Sequence, residues 1–319
     1  MAYVTQTQQG EERNRLYLED LPVHQWYRFV LSFPPHLVRA YIERFGLSGE
    51  QWVFDPFCGT GTTLVECKKL GIPSIGLEAN PVVHFAAQVK TNWRARPEAL
   101  KAHAQEVAEA AHAVMMAESV EDEPFFQPLD AKLPARLRTL DAVITSPPYP
   151  NEKDYSRTTR LESVLLGFMR TRKDLRRHKQ KLLRSNTRSV YKADADDQWI
   201  ADYPRVNRLA EAIEARRLEL GKTSGFERLY ARVVKLYFGG MARHLEALKP
   251  LLKPGAQLAY VVGDQASFFR IPIRTGEILA EIAERLGYEV TDIDLFRIRF
   301  STATQEPLRE EVVLLRWNA

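Results

Sequence analysis

Two hydrophobic periods alternate along the chain. Short apolar runs that end on turn formers or polar residues, the pattern of buried strands, occur at Trp52-Val53-Phe54, Ser74-Ile75-Gly76-Leu77, Leu140-Asp141-Ala142-Val143-Ile144-Thr145 and residues 257–262. Between them lie longer segments with helical spacing of apolar positions, at 62–70, 81–91, 97–116, 226–248 and 275–286, with Gly71 and Gly287 placed to close two of them. A weaker strand is predicted at 125–128, ending at Asp130, and two last strands, around 289–297 and 311–317, have no helix between them. Near the start, Trp26, Phe29, Val30, Phe33, Val38, Ile42 and Phe45 flank Phe33-Pro34-Pro35. Prolines interrupt a helix, so a short helix, a bend and a second helix over 36–45 are expected. Alternating β and α elements with a terminal hairpin predict an α/β fold, a mostly parallel seven-stranded sheet covered on both faces with a C-terminal antiparallel hairpin. In such sheets ligands bind beyond the carboxyl ends of the strands, where the strand order reverses.

The pattern breaks between 151 and 225, where the chain is highly charged and shows little sign of a parallel strand. We read four regions: a flexible start at 1–20, a first half of the main domain at 21–150, a basic helical insertion at 151–225, and the remainder at 226–319. Net charge over the 319 residues is only +4, but it is uneven. From Arg170 to Lys192 there are ten basic residues and one acid, Asp174. Such an excess makes a positive potential where phosphates dock, and Arg172, Arg176, Arg177, Lys181, Arg184 and Arg188 are the candidate nucleic-acid contacts. A solvated helix face gives the same pattern.

Composition removes other classes. No run of about 18 apolar residues exists to span a bilayer, and the polar start lacks a secretory signal, so a cytoplasmic protein without membrane association is expected. Two cysteines, Cys58 and Cys67, and seven scattered histidines without paired spacing predict neither a disulfide framework nor a metal site.

Candidate chemistry sits at two predicted strand ends. After the first strand comes Asp55-Pro56-Phe57-Cys58-Gly59-Thr60-Gly61-Thr62-Thr63, whose glycines permit a tight turn and close approach to a ligand. Taken alone it is also what a plain strand-to-helix connection looks like. No Gly-Lys-Ser/Thr follows, which excludes a P-loop, and Leu64 stands where a dinucleotide site needs its third glycine. Glu78, at the end of the second strand, can accept both hydroxyl hydrogens of a ribose. After the third strand comes Ser146-Pro147-Pro148-Tyr149.

The stretch 55–63 resembles motif I of the amino-group DNA methyltransferases, and Glu78 falls where that family's motif II acid binds the cofactor ribose. The resemblance implies S-adenosyl-L-methionine as cofactor and a Rossmann-like methyltransferase fold. It implies that Asp55, Phe57, Cys58, Gly59 and Gly61 shape the site for the cofactor's methionine part, with Thr62 or Thr63 near its carboxylate. Asp130 matches motif III and would contact the adenine amino group; it fits equally well as a cap of the following turn. His24-Gln25-Trp26 and Phe33-Pro34-Pro35 resemble motif X, which closes over the cofactor, although Trp26 and Phe33 could equally belong to the core.

The tetrapeptide resembles motif IV, and its Ser-Pro-Pro-Tyr form is most similar to the cytosine-N4 members. An exocyclic amino group is a poor nucleophile because its lone pair is delocalised into the ring. Ser146 Oγ and the Pro147 carbonyl can accept its two hydrogens and favour a pyramidal nitrogen, while Pro147-Pro148 keeps the turn rigid. Tyr149 would stack on a base taken out of the duplex. Cytosine C5 methylation needs a cysteine nucleophile, usually after proline; Cys58 follows Phe57 and Cys67 follows Glu66, so that chemistry is excluded. The motif order X, I, IV covers most of 23–155 and, more faintly, 258–264 and the final strands, but not 157–224. The expectation is a DNA cytosine-N4 methyltransferase, with a cognate restriction endonuclease or other defence component as a further partner. Adenine N6, an RNA base, or a non-catalytic nucleic-acid-binding protein are the alternatives.

Overall fold

The computed structural model describes residues 15–27, 32–94, 96–116, 140–300 and 306–319, with the side chains of 111–116 left aside. Its sheet contains strands β1 (Val53–Asp55), β2 (Ser74–Gly76), β3 (Leu140–Thr145), β4 (Leu252–Gly263), β5 (Glu289–Phe300) and β6 (Pro307–Trp317). They lie in the order β2-β1-β3-β4-β6-β5. The first four pair in parallel, and β6 runs antiparallel to both neighbours, between β4 and the edge strand β5. Six strands therefore make up the sheet among the described residues. The further strand expected at 125–128 lies outside them.

Side-chain alternation divides the sheet between two cores, as a period of two requires. Phe54, Val143, Leu258, Tyr260, Val313 and Leu315 face one way, into a large cluster with α7 (Tyr230–Leu248) and α8 (Thr275–Arg285). Val53, Ala142, Ile144, Ala259, Val261, Val312 and Leu314 face the other, against α1 (Pro35–Arg44) and Cys67 of α2 (Thr62–Lys69). Proline opens α1, α3 (Pro81–Thr91) and α6 (Pro204–Glu219), where its missing N–H has no partner to lose. Gly71 and Gly287 adopt positive φ just beyond α2 and α8, and the helix Pro97–Met116, α4, has the predicted bounds.

The two final strands are each longer than their apolar patterns showed. β5 is an edge strand with polar residues such as Asp292, Asp294, Arg297 and Arg299, so its pairing is carried by backbone hydrogen bonds that side-chain hydrophobicity does not report. Between 151 and 225 no strand occurs among the described residues; α5 (Arg172–Lys181), α6 and short helical turns fill the segment. Ile200, Tyr203, Val206 and Ile213 of this segment are buried in the same core as Tyr237 and Phe238 of α7. No helix among the described residues is long and apolar enough to cross a membrane.

The chain leaves β1 outward to β2 and re-enters at β3 on the other side, so the strand order reverses between β1 and β3. Asp55 and Thr145 end these two strands, and Thr145 Oγ1 donates to Asp55 Oδ1 at 2.6 Å.

Candidate active site

A cavity of about 770 Å³ opens at this reversal point. The glycine loop forms one wall. Gly59 and Gly61 hold positive φ of 52° and 84°, and at Gly61 a Cβ would stand 3.1 Å from that of Ala87, so the turn also seats the start of α2 against α3. Phe57 N donates to Asp55 Oδ1 at 3.1 Å, fixing the loop to the end of β1. Asp55 is fully buried, its Oδ2 has no hydrogen-bond partner among the described residues, and burial pushes its pKa up to about 6, partly offset by Thr145 and Phe57. Thr63 is buried behind the loop and donates to the carbonyl of Ile144 at 3.2 Å.

Glu78 stands across the loop from β1. Its Oε2 accepts from Gly59 N at 3.0 Å and its Oε1 from Asn80 N at 2.7 Å. Burial raises its pKa to about 7, with those two N–H groups pulling the other way. Asn80 also caps α3 through Val82 N at 3.2 Å, and its Nδ2 reaches Thr159 Oγ1 at 2.8 Å. Burial pushes the Cys58 thiol well up and that of Cys67 to about 12, so neither is a thiolate at neutral pH.

Ser146, Pro147, Pro148 and Tyr149 form the opposite wall. Tyr155 Oη accepts from Tyr149 N at 3.4 Å, and burial raises the pKa of both tyrosines. The ring of Tyr149 lies against Gly263 at the end of β4, where a Cβ would come within 2.9 Å of Cε2. The rim is completed by loop 182–186, with Asn151 N donating to Ser185 O at 2.9 Å, and by Arg297, Arg299 and Glu310 of the terminal hairpin.

One cavity thus brings together Phe33, Phe57, Cys58, Gly59, Thr62, Glu78, the tetrapeptide and Lys181, with Asp55, Gly61 and Thr63 directly behind. Trp26 is not among them: it is 57% exposed and lines a separate surface hollow with Leu18, Leu21 and Gln25, because the segment around His24 is anchored on the outside of α2 and α3. There His24 Nε2 meets Glu66 at 2.7 Å, and Lys90 Nζ donates to the carbonyl of Tyr27 at 2.8 Å. Asp130 lies outside the described residues.

The basic residues also divide. Arg172, Arg176, Arg177, Lys181 and Arg188 are exposed. Arg184 is buried, and every one of its N–H groups is used internally: two on Asp194, at 2.9 Å each, and three on the carbonyls of Lys179, Leu182 and Gln180. It has no donor left for a phosphate and is a structural residue.

Several residues of the site escaped the sequence reading: Glu152, Tyr155, Gly263, Arg297, Arg299 and Glu310. Gly263-Asp264 after an apolar run was the available signal for one, and the acid three places after Tyr149 for another.

Residues 4–88 match the family model described as DNA methylase, of the N6/N4 type. The type II methyltransferase M.BsoBI of Geobacillus stearothermophilus is 44% identical over 69 residues, 22% of this chain and 14% of that protein. M.AvaI of a Nostoc species is 31% identical over 162 residues, 48% of this chain and 32% of its own length. M.MjaII of Methanocaldococcus jannaschii is 40% identical over 68 residues, 21% and 13% of the two chains. The matched stretches thus span no more than about a third of these relatives. TrmN of Thermus thermophilus aligns structurally over 89% of this chain and 48% of its own, at 12% identity and a TM-score of 0.32, too slight a likeness to carry an argument.

The residues present fit the cofactor that the sequence matches imply, S-adenosyl-L-methionine. Cys58, Gly59 and Thr62 of the glycine loop line the cavity together with Glu78, and Asp55 Oδ2 is a buried acceptor without a partner among the described residues. Over these stretches the chain is similar to the DNA methylase family model and to three type II methyltransferases.

Proposed function

We propose that this protein methylates DNA at the exocyclic N4 amino group of cytosine, acting on a base taken out of the duplex. The observation that carries the reading is that Ser146-Pro147-Pro148-Tyr149, at the end of β3, lines the same cavity as Gly59 and Glu78, at the ends of β1 and β2. When bound, the cofactor supplies an electrophilic sulfonium methyl. Glu78 would hold its ribose and the glycine loop its methionine part, while Phe33 and Phe57 pack beside it.

On the facing wall, Ser146 Oγ and the Pro147 carbonyl would accept the two amino hydrogens and release the nitrogen lone pair. The Pro147-Pro148 pair would hold the turn in place, so little reorganisation would accompany reaction. Tyr149 would cover the base, offsetting part of the few kcal/mol, roughly, that unstacking costs. The cavity's about 770 Å³ lies within the roughly 300–1,000 Å³ typical of small-molecule sites, room for a nucleoside-sized cofactor and a base. The exposed Arg172, Arg176, Arg177, Lys181 and Arg188 would hold the phosphodiester backbone, positioning the duplex without specifying sequence. A cognate restriction endonuclease would be its partner in the cell.

The test is nucleoside mass spectrometry of DNA from cells expressing the protein or its Ser146→Ala variant. N4-methylcytosine present with the first and absent with the second is expected. N6-methyladenine alone moves the substrate to adenine, whose amino group presents the same two hydrogens; a methylated base confined to RNA moves it there. Cofactor binding with no methylated base in either nucleic acid makes this a non-catalytic member.

A further inference from the structure

Methyl transfer to an amino group leaves a proton to be placed. The N–C bond forms, the C–S bond breaks with its electron pair staying on sulfur, and the nitrogen is left cationic until it sheds one hydrogen. Ser146 Oγ and the Pro147 carbonyl accept hydrogen bonds but neither holds a proton near neutral pH. The tetrapeptide itself carries no carboxylate.

Three carboxylates line the cavity among the described residues: Glu78, Glu152 and Glu310. Glu78 lies on the glycine-loop side, where its oxygens accept from the N–H groups of Gly59 and Asn80 and its remaining acceptor capacity is assigned to the ribose. Glu310 is neutralised by ion pairs with Arg297 and with Arg299, the latter at 2.8 Å. Glu152 differs from both. It follows Tyr149 by three residues, its Oε2 accepts from Thr187 Oγ1 at 2.9 Å, and its Oε1 is buried with no hydrogen-bond partner among the described residues. A buried, unsatisfied acceptor is unfavourable until a donor arrives, and Glu152 is one of the residues that line the cavity.

We propose that Glu152, which lines the cavity, is the proton acceptor of the reaction, its carboxyl taking the hydrogen that the amino nitrogen releases and passing it to solvent as product leaves. The inference rests on the methyltransferase reading above. The groups facing Glu152 leave it able to hold a proton: burial raises its pKa, Asp154 adds to the rise, and the Thr187 hydroxyl and N–H and the Arg188 charge oppose it. Tyr230 of α7 also faces it and stays neutral, its own pKa raised. Thr187 positions the carboxyl rather than sharing in the transfer.

The test uses the full chain, with Glu152→Gln and Glu152→Asp. In single-turnover methylation of DNA, Glu152→Gln is expected to lose about 10²- to 10⁴-fold in rate, the usual contribution of a general base, with cofactor and DNA affinities within about twofold of wild type. The wild-type rate should rise with pH through one ionisation that is absent from the Gln variant, and Glu152→Asp should keep the ionisation at an intermediate rate. A readout independent of turnover is calorimetry of DNA binding to protein loaded with S-adenosylhomocysteine, in two buffers of different ionisation enthalpy. Wild type should take up protons as the base covers the carboxylate, and Glu152→Gln should not. A Gln variant with wild-type rate and pH profile overturns the proposal while leaving the methyltransferase reading intact. So does a folded Asp variant indistinguishable from wild type. Wild-type protein that methylates no base, and a Gln variant that shows the same proton uptake, would remove both.

Discussion

The two walls of the cavity are built in different ways. On the cofactor side, residues 55–80 supply nearly everything, and the contacts are short-range: Phe57 N to Asp55, Gly59 N and Asn80 N to Glu78, Val82 N to Asn80. On the tetrapeptide side, four segments far apart in sequence meet. Tyr149 lies against Gly263, Asn151 bonds Gln265 at 3.3 Å, Glu152 bonds Thr187, and Glu310 with Arg297 and Arg299 closes the rim. A ligand held by backbone and one carboxylate needs a fixed local turn. On the function proposed above, a substrate that must be covered and relieved of a proton would need side chains from several directions.

Substitutions can break or sharpen that contrast. The largest effect is expected at Arg184→Ala. It leaves the part-buried Asp194 carboxylate with only the N–H of Tyr191 and removes a donor from three carbonyls, and should cost roughly 3 kcal/mol, read as a lowered denaturation midpoint. The exposed Arg176→Glu, Arg177→Glu and Lys181→Glu should instead leave stability within about 0.5 kcal/mol. They should lower the salt dependence of DNA binding by about 0.9 in log–log slope for each phosphate that is no longer neutralised. Equal loss of stability from both sets would erase the distinction between structural and docking arginines.

Next comes Ser146→Ala, expected to slow methylation by about 10²- to 10³-fold, as losing one preorganised hydrogen-bonding group does, with calorimetric cofactor affinity unchanged. A fall in cofactor affinity of the same size would mean that the walls are not separable. Gly263→Ala should be milder. Its Cβ, 2.9 Å from Tyr149 Cε2 and 3.2 Å from Glu310 Cγ, must displace the aromatic ring, for a loss of about 1–3 kcal/mol that appears in kcat/KM for DNA and not in cofactor binding.

The smallest effect concerns Glu78. With its pKa pushed up to about 7, the carboxyl is increasingly protonated as pH falls below that value and loses acceptor capacity for a diol. Cofactor affinity should therefore weaken from pH 8 to pH 6, and in Glu78→Gln it should be lower and flat over that range. A wild-type affinity independent of pH would place the ribose elsewhere.

The same contrast explains what could be read in advance. The glycine loop, Glu78 and the strand–helix–strand unit around them were legible because strand, turn, helix start and acid follow one another within about 25 residues. The β3 strand and its tetrapeptide were legible for the same reason. Trp26 lies apart from the cavity, which the sequence does not reveal, because an aromatic next to a bend looks alike whether it faces a cavity or solvent. His24 with Glu66, and Lys90 with Tyr27, decided its position from elements that are distant in sequence. Arg184 looked like its basic neighbours, since a charge run does not reveal that Asp194 and three carbonyls will surround one member of it. The long edge strand β5 was shortened in the reading because its polar residues obscure backbone pairing.

By itself, then, the sequence determined the alternation that makes a mostly parallel sheet and the two loops at its strand ends, whose resemblance to known motifs suggested the cofactor and the chemistry proposed above. Local periodicity, turn-forming glycines and rigid prolines act over a few residues, so they are written where they operate. Tertiary structure alone decided which arginines stay exposed, that Gly263 makes room for Tyr149, and that Glu152 lines the cavity with one buried oxygen unpaired among the described residues. Each of these depends on burial and on partners that are neighbours only after the chain has folded, and no spacing along the chain encodes them.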